Sequence, residues 1–403
     1  MAALSRSHLL RLLVLNVSLL CLAMSGPAYS GLVARQGRSS SELVVHEWGT
    51  FTSVAGLDGL AVKWRPRNGP YDLPSFVEHF RNADTKSQLE GTVRMETPVL
   101  YFYSPAKTTV SVRVGFSKGV ITEWYPHASH IEPNPREILQ ESALYRQSGD
   151  GSIAWDSVTV EPGLAAHFPE EERESHYYAA RETAAAPVAV HTTGGTQQEK
   201  FLFYRGVSIF SPPVSAQPTA DGKVRIKNLG RNEIPSVILF ERRGDRMGYR
   251  LGGAVQNELL LDLPELTSTP EALERDLQDA LMSQGLYPDE ARAMVQTWKL
   301  SWFEEGSRVF YLVPEHFVET VLPLSIKPAP TQIVRVFVGR MEVITPATRR
   351  DIEQALAERD RATIARYQRF LEPILDQLKA DNPTHASELD RELADVYCAP
   401  PGK

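Results

Sequence analysis

Residues 94–126 read RMETPVLYFYSPAKTTVSVRVGFSKGVITEWYP. Pro98 to Tyr103 is a short apolar, aromatic run, and the turn Ser104-Pro105-Ala106-Lys107 separates it from Thr108 to Phe116. In the second run Val110, Val112, Val114 and Phe116 take one face and Thr109, Ser111 and Arg113 the other, the two-residue period of a half-buried strand. Ser117-Lys118-Gly119 makes the next turn, and Val120 to Tyr125 reads as a third strand that Pro126 ends by withholding an N–H. The stretch predicts a three-stranded antiparallel meander. Polar groups stand at its two ends: Arg94 and Glu96 before the first strand, Glu123 at the close of the third, then His127 and His130.

Upstream, Leu43 to Val54 is rich in β-formers, with Gly49 marking a bulge or a close backbone approach. Asn68-Gly69-Pro70 reads as a turn and Leu73 to Phe80 as a short helix. Downstream, Pro135 to Tyr145 reads as an amphipathic helix, and further strands are expected from Ile153, Lys200, Val224, Ser236, Tyr249 and Glu258. Many short strands punctuated by turn residues indicate a sandwich or an open barrel. Residues 161–198, weakly periodic and carrying Glu170-Glu171-Glu172, read as a surface excursion.

The pattern changes near Leu266. Thr269-Pro270-Glu271 starts one helix and Pro288-Asp289-Glu290 a second, a helical hairpin before strands return at Val309 and Gln332. From Thr345-Pro346 onward the chain reads as helical, with Ile364, Tyr367, Leu371, Ile374 and Leu378 on one face. The expected class is therefore α+β and β-dominated: an antiparallel β-sandwich-like body over 43–265, a helical hairpin plus strands over 266–345, and C-terminal helices over 346–403.

With 42% hydrophobic and 23% charged residues, the 403-residue chain has the makeup of a globular protein. Residues 1–30 carry Arg6 and Arg11, an apolar run from Leu12 to Met24, then Ala28-Tyr29-Ser30, the pattern of a cleavable export signal with Gly31 first in the mature chain. Residues 31–42 read as a flexible leader. The apolar run is shorter than the roughly 20 residues that span a bilayer, so no transmembrane span is expected in the mature chain. Loss of two arginines takes the formal charge of −7 to −9, which disfavours nucleic acid as a partner. Cys398 is then the one mature cysteine, so export brings no internal disulfide.

Three groups of residues could carry chemistry. His127 and His130, three apart, could ligate a divalent transition metal with help from Glu123 or Glu132, though two close histidines are more often solvent-facing groups in a connection. Glu47, Glu96 and Glu123 could gather at one sheet end as an acid–base pool tuned by His46 and Arg94, or simply pair with neighbours at strand edges. His176-Tyr177-Tyr178 with Arg181 could grip a polar ligand by stacking and hydrogen bonding, or belong to an ordinary surface element. Glu304-Glu305 sit at a glycine helix end, where acids are commonplace. No phosphate-binding glycine loop, Gly-x-Ser-x-Gly elbow or His-Glu-x-x-His motif is present.

At His46-Glu47-Trp48-Gly49-Thr50-Phe51-Thr52-Ser53, Arg94-Met95-Glu96-Thr97-Pro98, Phe201 to Gly206 and Ser301-Trp302-Phe303-Glu304-Glu305-Gly306 the chain resembles a family of exported bacterial proteins to which no activity is attached. The resemblance implies a periplasmic or extracellular bacterial protein and no particular site residue. Two functions are expected: a non-catalytic binding protein for an unknown ligand or envelope component, or an extracytoplasmic hydrolase, metal-dependent if the histidines ligate.

Overall fold

The computed structural model describes residues 42–66, 73–80, 86, 89–134, 149–381, 383–387 and 389–391. The expected signal, nearly all of the leader, the turn at 68–70, the helix at 135–145 and the chain end beyond 391 lie outside these residues.

The β-dominated α+β class holds, with three separate sheets rather than a barrel. In chain order the strands are β1 Val44–Val54, β2 Glu78–His79, β3 Val93–Tyr103, β4 Thr108–Phe116, β5 Gly119–Tyr125, β6 His130–Glu132, β7 Gly151–Val160, β8 Val188–Thr192 and β9 Gly195–Glu199. The series continues with β10 Leu202–Ser208, β11 Val214–Pro218, β12 Lys223–Asn228, β13 Ile234–Arg243, β14 Arg246–Val255, β15 Glu258–Asp262, β16 Gly306–Leu312, β17 Leu324–Lys327 and β18 Gln332–Val343. Nine of them form one sheet in the order β14-β13-β16-β18-β1-β3-β10-β5-β2; β4, β6, β7, β8, β9 and β17 form a second, and β11, β12 and β15 a third.

The three expected strands form, but not as a meander. β3 lies between β1 and β10, and β5 between β10 and β2, while β4 pairs with β7 and β17 in the other sheet. The turns at 104–107 and 117–118 therefore carry the chain from one sheet to the other and back. A two-residue period shows which face of a strand is buried, not which strand it will pair with. Only β4 keeps one open face; β3 and β5 are buried on nearly all sides. The facing sheets share one core, in which Val45, Phe51 and Met95 of the large sheet meet Val112, Val114 and Trp155 of the second. One pairing departs from the antiparallel rule: β18 runs parallel to β1 from Gln332 opposite Val44 to Glu342 opposite Val54.

Helices cover the other face of the nine-stranded sheet. α1 Pro270–Ser283 starts as expected, Thr269 accepting from the Ala272 N–H with Pro270 in the first turn. It ends at Gly285, whose φ of 103° favours glycine. α2 is Pro288–Trp302, and together the pair packs on Trp48, Val99, Phe203 and Phe310. After the short α3 Glu315–Val321, three helices, α4 Pro346–Glu358, α5 Arg361–Arg366 and α6 Leu371–Asp381, pack on Val54, Trp64 and Ile344.

One further expectation is corrected. Residues 73–80 form no helix; Glu78–His79 pairs with β5 as an edge strand. The strands that return after the hairpin, β16 and β18, lie between β13 and β1 in the large sheet. Among the described residues no helix is long and apolar enough to cross a membrane.

Candidate functional site

On its helix-covered face the large sheet is irregular along one line. The β1–β3 register shifts between Trp48 and Thr50, at Gly49; β10 shifts against β3 between Phe203 and Gly206 and against β5 between Arg205 and Gly206. In β3 the same line passes through Thr97, a β-branched residue at φ 48°. Such a residue is strained in this region, by on the order of 1–3 kcal/mol. Bulges re-aim side chains, and those re-aimed here are charged.

Glu96, Glu123, Arg94, Arg205 and Lys86 are all buried on this face. The Lys86 ammonium stands 3.8 Å from Glu123 Oε2 and donates to the Met95 carbonyl at 3.1 Å. Thr122 donates to Glu123 at 2.6 Å. Arg205 donates to Thr97 Oγ1 at 3.1 and 3.3 Å and contacts the His176 ring nitrogen at 3.1 Å. Arg94 donates to the Leu89 and Lys86 carbonyls beneath the Trp64 ring. Glu96 accepts from Thr52 at 2.8 Å and from Arg369, which reaches in from the turn before α6.

Burial pulls the Lys86 ammonium down from 10.5 to about 7, with Glu123 opposing and Arg205 assisting. For Glu96 burial acts upward, yet Arg369, then Lys86, Arg340 and Arg205, bring the carboxyl down from 4.5 to about 2. Burial thus holds the Lys86 pKa near neutrality against the opposing influence of two carboxylates, Glu123 at 3.8 Å and Glu96. Isolated buried ions cost several kcal/mol each, and strongly shifted groups concentrate where proteins do chemistry.

Across β1 the network continues into β18 and β16. Arg340 faces Thr52 in register, and Thr52 faces Arg94. Arg340 pairs with Glu304, and Arg308 with Glu342 at 2.9 Å.

The remaining candidates scatter. Glu47 points into the sandwich core, because β1 alternates; there it accepts from Tyr204 at 2.5 Å and from Arg335 at 2.6 Å, apart from Glu96 and Glu123. His46 shares the helix side but meets Glu290 of α2 at 2.8 Å, between the rings of Tyr103 and Tyr287. Tyr177 and Arg181 are tied to buried Glu199, Arg181 by two bonds of 2.7 and 2.9 Å and Tyr177 by one of 3.1 Å. Phe76, Phe168, Tyr177 and Tyr178 surround the Arg181 guanidinium, so the cluster pins the 161–198 excursion rather than opening to a ligand. His127 contacts Glu78 at 2.8 Å and His130 contacts Asp156 at 3.0 Å, each on its own carboxylate. Among the described residues no group of three or more His, Cys, Asp or Glu side chains converges to hold a metal ion.

Lys86, Arg205, Arg340 and Arg369 were missed from sequence. A signal existed for two of them: Arg205 and Arg340 stand inside apolar runs that are buried on both faces, where a charge has no solvent to turn to. Lys86 and Arg369 sit in irregular or helical segments and carry no such mark.

No protein-family model matches the sequence, and no curated protein matches it. Among solved structures, the chain aligns with the yeast delta-COP-I mu-homology domain complexed with Dsl1 WxWxV peptide, at 9% identity and TM-score 0.24 over 75% of this chain and 96% of that one. The same yeast domain without peptide aligns at 8% identity and TM-score 0.25, over 75% and 95%. At those scores the likeness carries neither fold nor function.

Proposed function

We propose that the protein is an exported enzyme, an extracytoplasmic hydrolase whose proton-transfer centre is Lys86 with Glu123 and Glu96. The observation that carries this reading is the Lys86 ammonium, buried 3.8 Å from Glu123 with its pKa near neutrality, where three strands bulge together. A lysine neutral in part at pH 7 takes a proton from an attacking water and returns it to the leaving group, and this works best when its pKa lies near the working pH. Glu123, 3.8 Å away, offsets the lysine's charge when the proton is on it. Glu96, anchored by Arg369 and Thr52, stays ionised and holds the field, and Arg205, steadied on Thr97, faces charge that develops on substrate. Export is supported by the leader-like residues 1–30. A non-catalytic ligand-binding or envelope-associated protein would use the same residues, but a lysine that only binds an anion gains from staying charged.

The test is competitive acylation labelling of Lys86 across pH, alongside a panel of chromogenic esters, phosphoesters, glycosides and amides. A labelling midpoint near 7, with turnover lost in Lys86→Met and Glu123→Gln, is expected. A midpoint near 10.5, or turnover that survives Lys86→Met, would sink the reading.

A further inference from the structure

Arg308 and Arg340 occupy adjacent strands on the same face, both fully buried. Arg308 is saturated: Nε meets Glu342 at 2.9 Å, Nη1 donates to the Trp302 and Glu304 carbonyls at 2.6 and 2.7 Å, and Nη2 donates to the Glu305 carbonyl at 2.6 Å. Arg340 is not. Its Nη2 is held by Glu304, while Nε and Nη1 are enclosed without any acceptor. The Phe370 ring lies 5.1 Å from its Cζ, a contact that offsets some charge and supplies no oxygen. A buried donor left unmade costs free energy, more so on a charged group, and Arg340 leaves two guanidinium nitrogens in that state where its neighbour leaves none.

We propose that Arg340 is the anion-recognition residue of this site and that the substrate carries a carboxylate or phosphate group seated on its free N–H donors. The inference rests on the proposed acid–base centre and names its substrate class. Both parts converge on Glu96, whose ionisation is set by Arg369, Lys86, Arg340 and Arg205 together. Glu304, 25% exposed, holds Arg340 Nη2, and the Arg369 charge, 18% exposed, acts on the same guanidinium, which is itself fully buried. A guanidinium suits the role because it stays charged and presents several planar donors to an oxyanion.

The experiment is calorimetric titration of the whole protein with inorganic phosphate and with acetate, against sodium chloride at matched ionic strength. Saturable binding of phosphate alone assigns a phosphoryl group, and saturable binding of acetate alone a carboxylate. Heats no different from chloride for both overturn the proposal. Arg340→Lys keeps the charge but removes the free guanidinium donors, and is expected to abolish binding; binding unchanged in that variant overturns it as well. Should Arg340→Lys not fold, Glu304→Gln reads the same point in the opposite direction, since removing the carboxylate beside Arg340 should tighten anion binding several-fold, and no tightening counts against the assignment. Lys86→Met separates the two readings: anion binding that persists in that variant, with Lys86 of the unsubstituted protein labelling at an ordinary pKa, leaves the anion site standing and the acid–base centre refuted.

Discussion

Arg369 and Glu96 stand 273 residues apart in the chain, yet the guanidinium of one donates to Oε1 of the other while Thr52 donates to Oε2 at 2.8 Å. The turn before α6 is thereby latched to the centre of the large sheet.

Because the folded-state pKa of Glu96 lies below its unfolded value, the associated stability is fully present above pH 4.5 and is lost as pH falls toward about 2. The difference corresponds to about 3 kcal/mol. Glu96→Gln should lower the unfolding free energy at pH 7 by about that much and flatten its fall between pH 4.5 and 2. Urea titrations over that range check it, and an unchanged slope would refute the pairing.

Lys86 has a depressed pKa too, but there the charged form is the one that folding disfavours. Below pH 7 the lysine is charged whether folded or not, and its burial weighs fully against folding; from about 7 to 10.5 the unfolded chain binds the extra proton, and stability rises with pH. Replacing both partners, as Lys86→Met with Glu123→Gln, should stabilise the protein at pH 6 by about 1–4 kcal/mol while abolishing turnover. The gain should shrink by pH 9 in chemical denaturation.

In the sandwich core the Glu47–Arg335–Tyr204 set is a structural ion pair. Arg335→Met strands a buried carboxylate and should cost about 3–5 kcal/mol, whereas Glu47→Gln with Arg335→Met should cost less than the single change. A double-mutant cycle measures this, and additive losses would refute it.

His127 and His130 are half or more exposed, each on a separate carboxylate. His127→Ala with His130→Ala should change stability by under about 1 kcal/mol per pair. Metal analysis of protein purified without chelator should give the same content with and without the substitutions; a stoichiometric metal lost on substitution would overturn this.

Gly49 sits where a Cβ would fall 2.6 Å from Phe337 Cε1 and 3.1 Å from Pro98 Cγ. Gly49→Ala should cost about 1–3 kcal/mol by overpacking and lower turnover by displacing the bulge. Thermal unfolding and the substrate panel test it together.

What the sequence by itself determined is local: the strand at 108–116 through its two-residue period, the bulge at Gly49, the hairpin helices through Thr269-Pro270 and Pro288, and the β-dominated class. Those features depend on residues close together in the chain, and their chemistry is legible without partners. Only the tertiary structure decided which strands pair, because burial on both faces of β3 and β5 erases the alternation that would set register, and strands brought from 306–343 intervene. The site followed the same rule. Glu96 and Glu123 could be suspected from the ends of their strands, but the Lys86 ammonium and Arg369 reach them from segments whose local sequence carries no sign of the meeting. Long-range pairing of charges is a property of the folded core, since a buried ion is tolerated only where the whole fold delivers its partner.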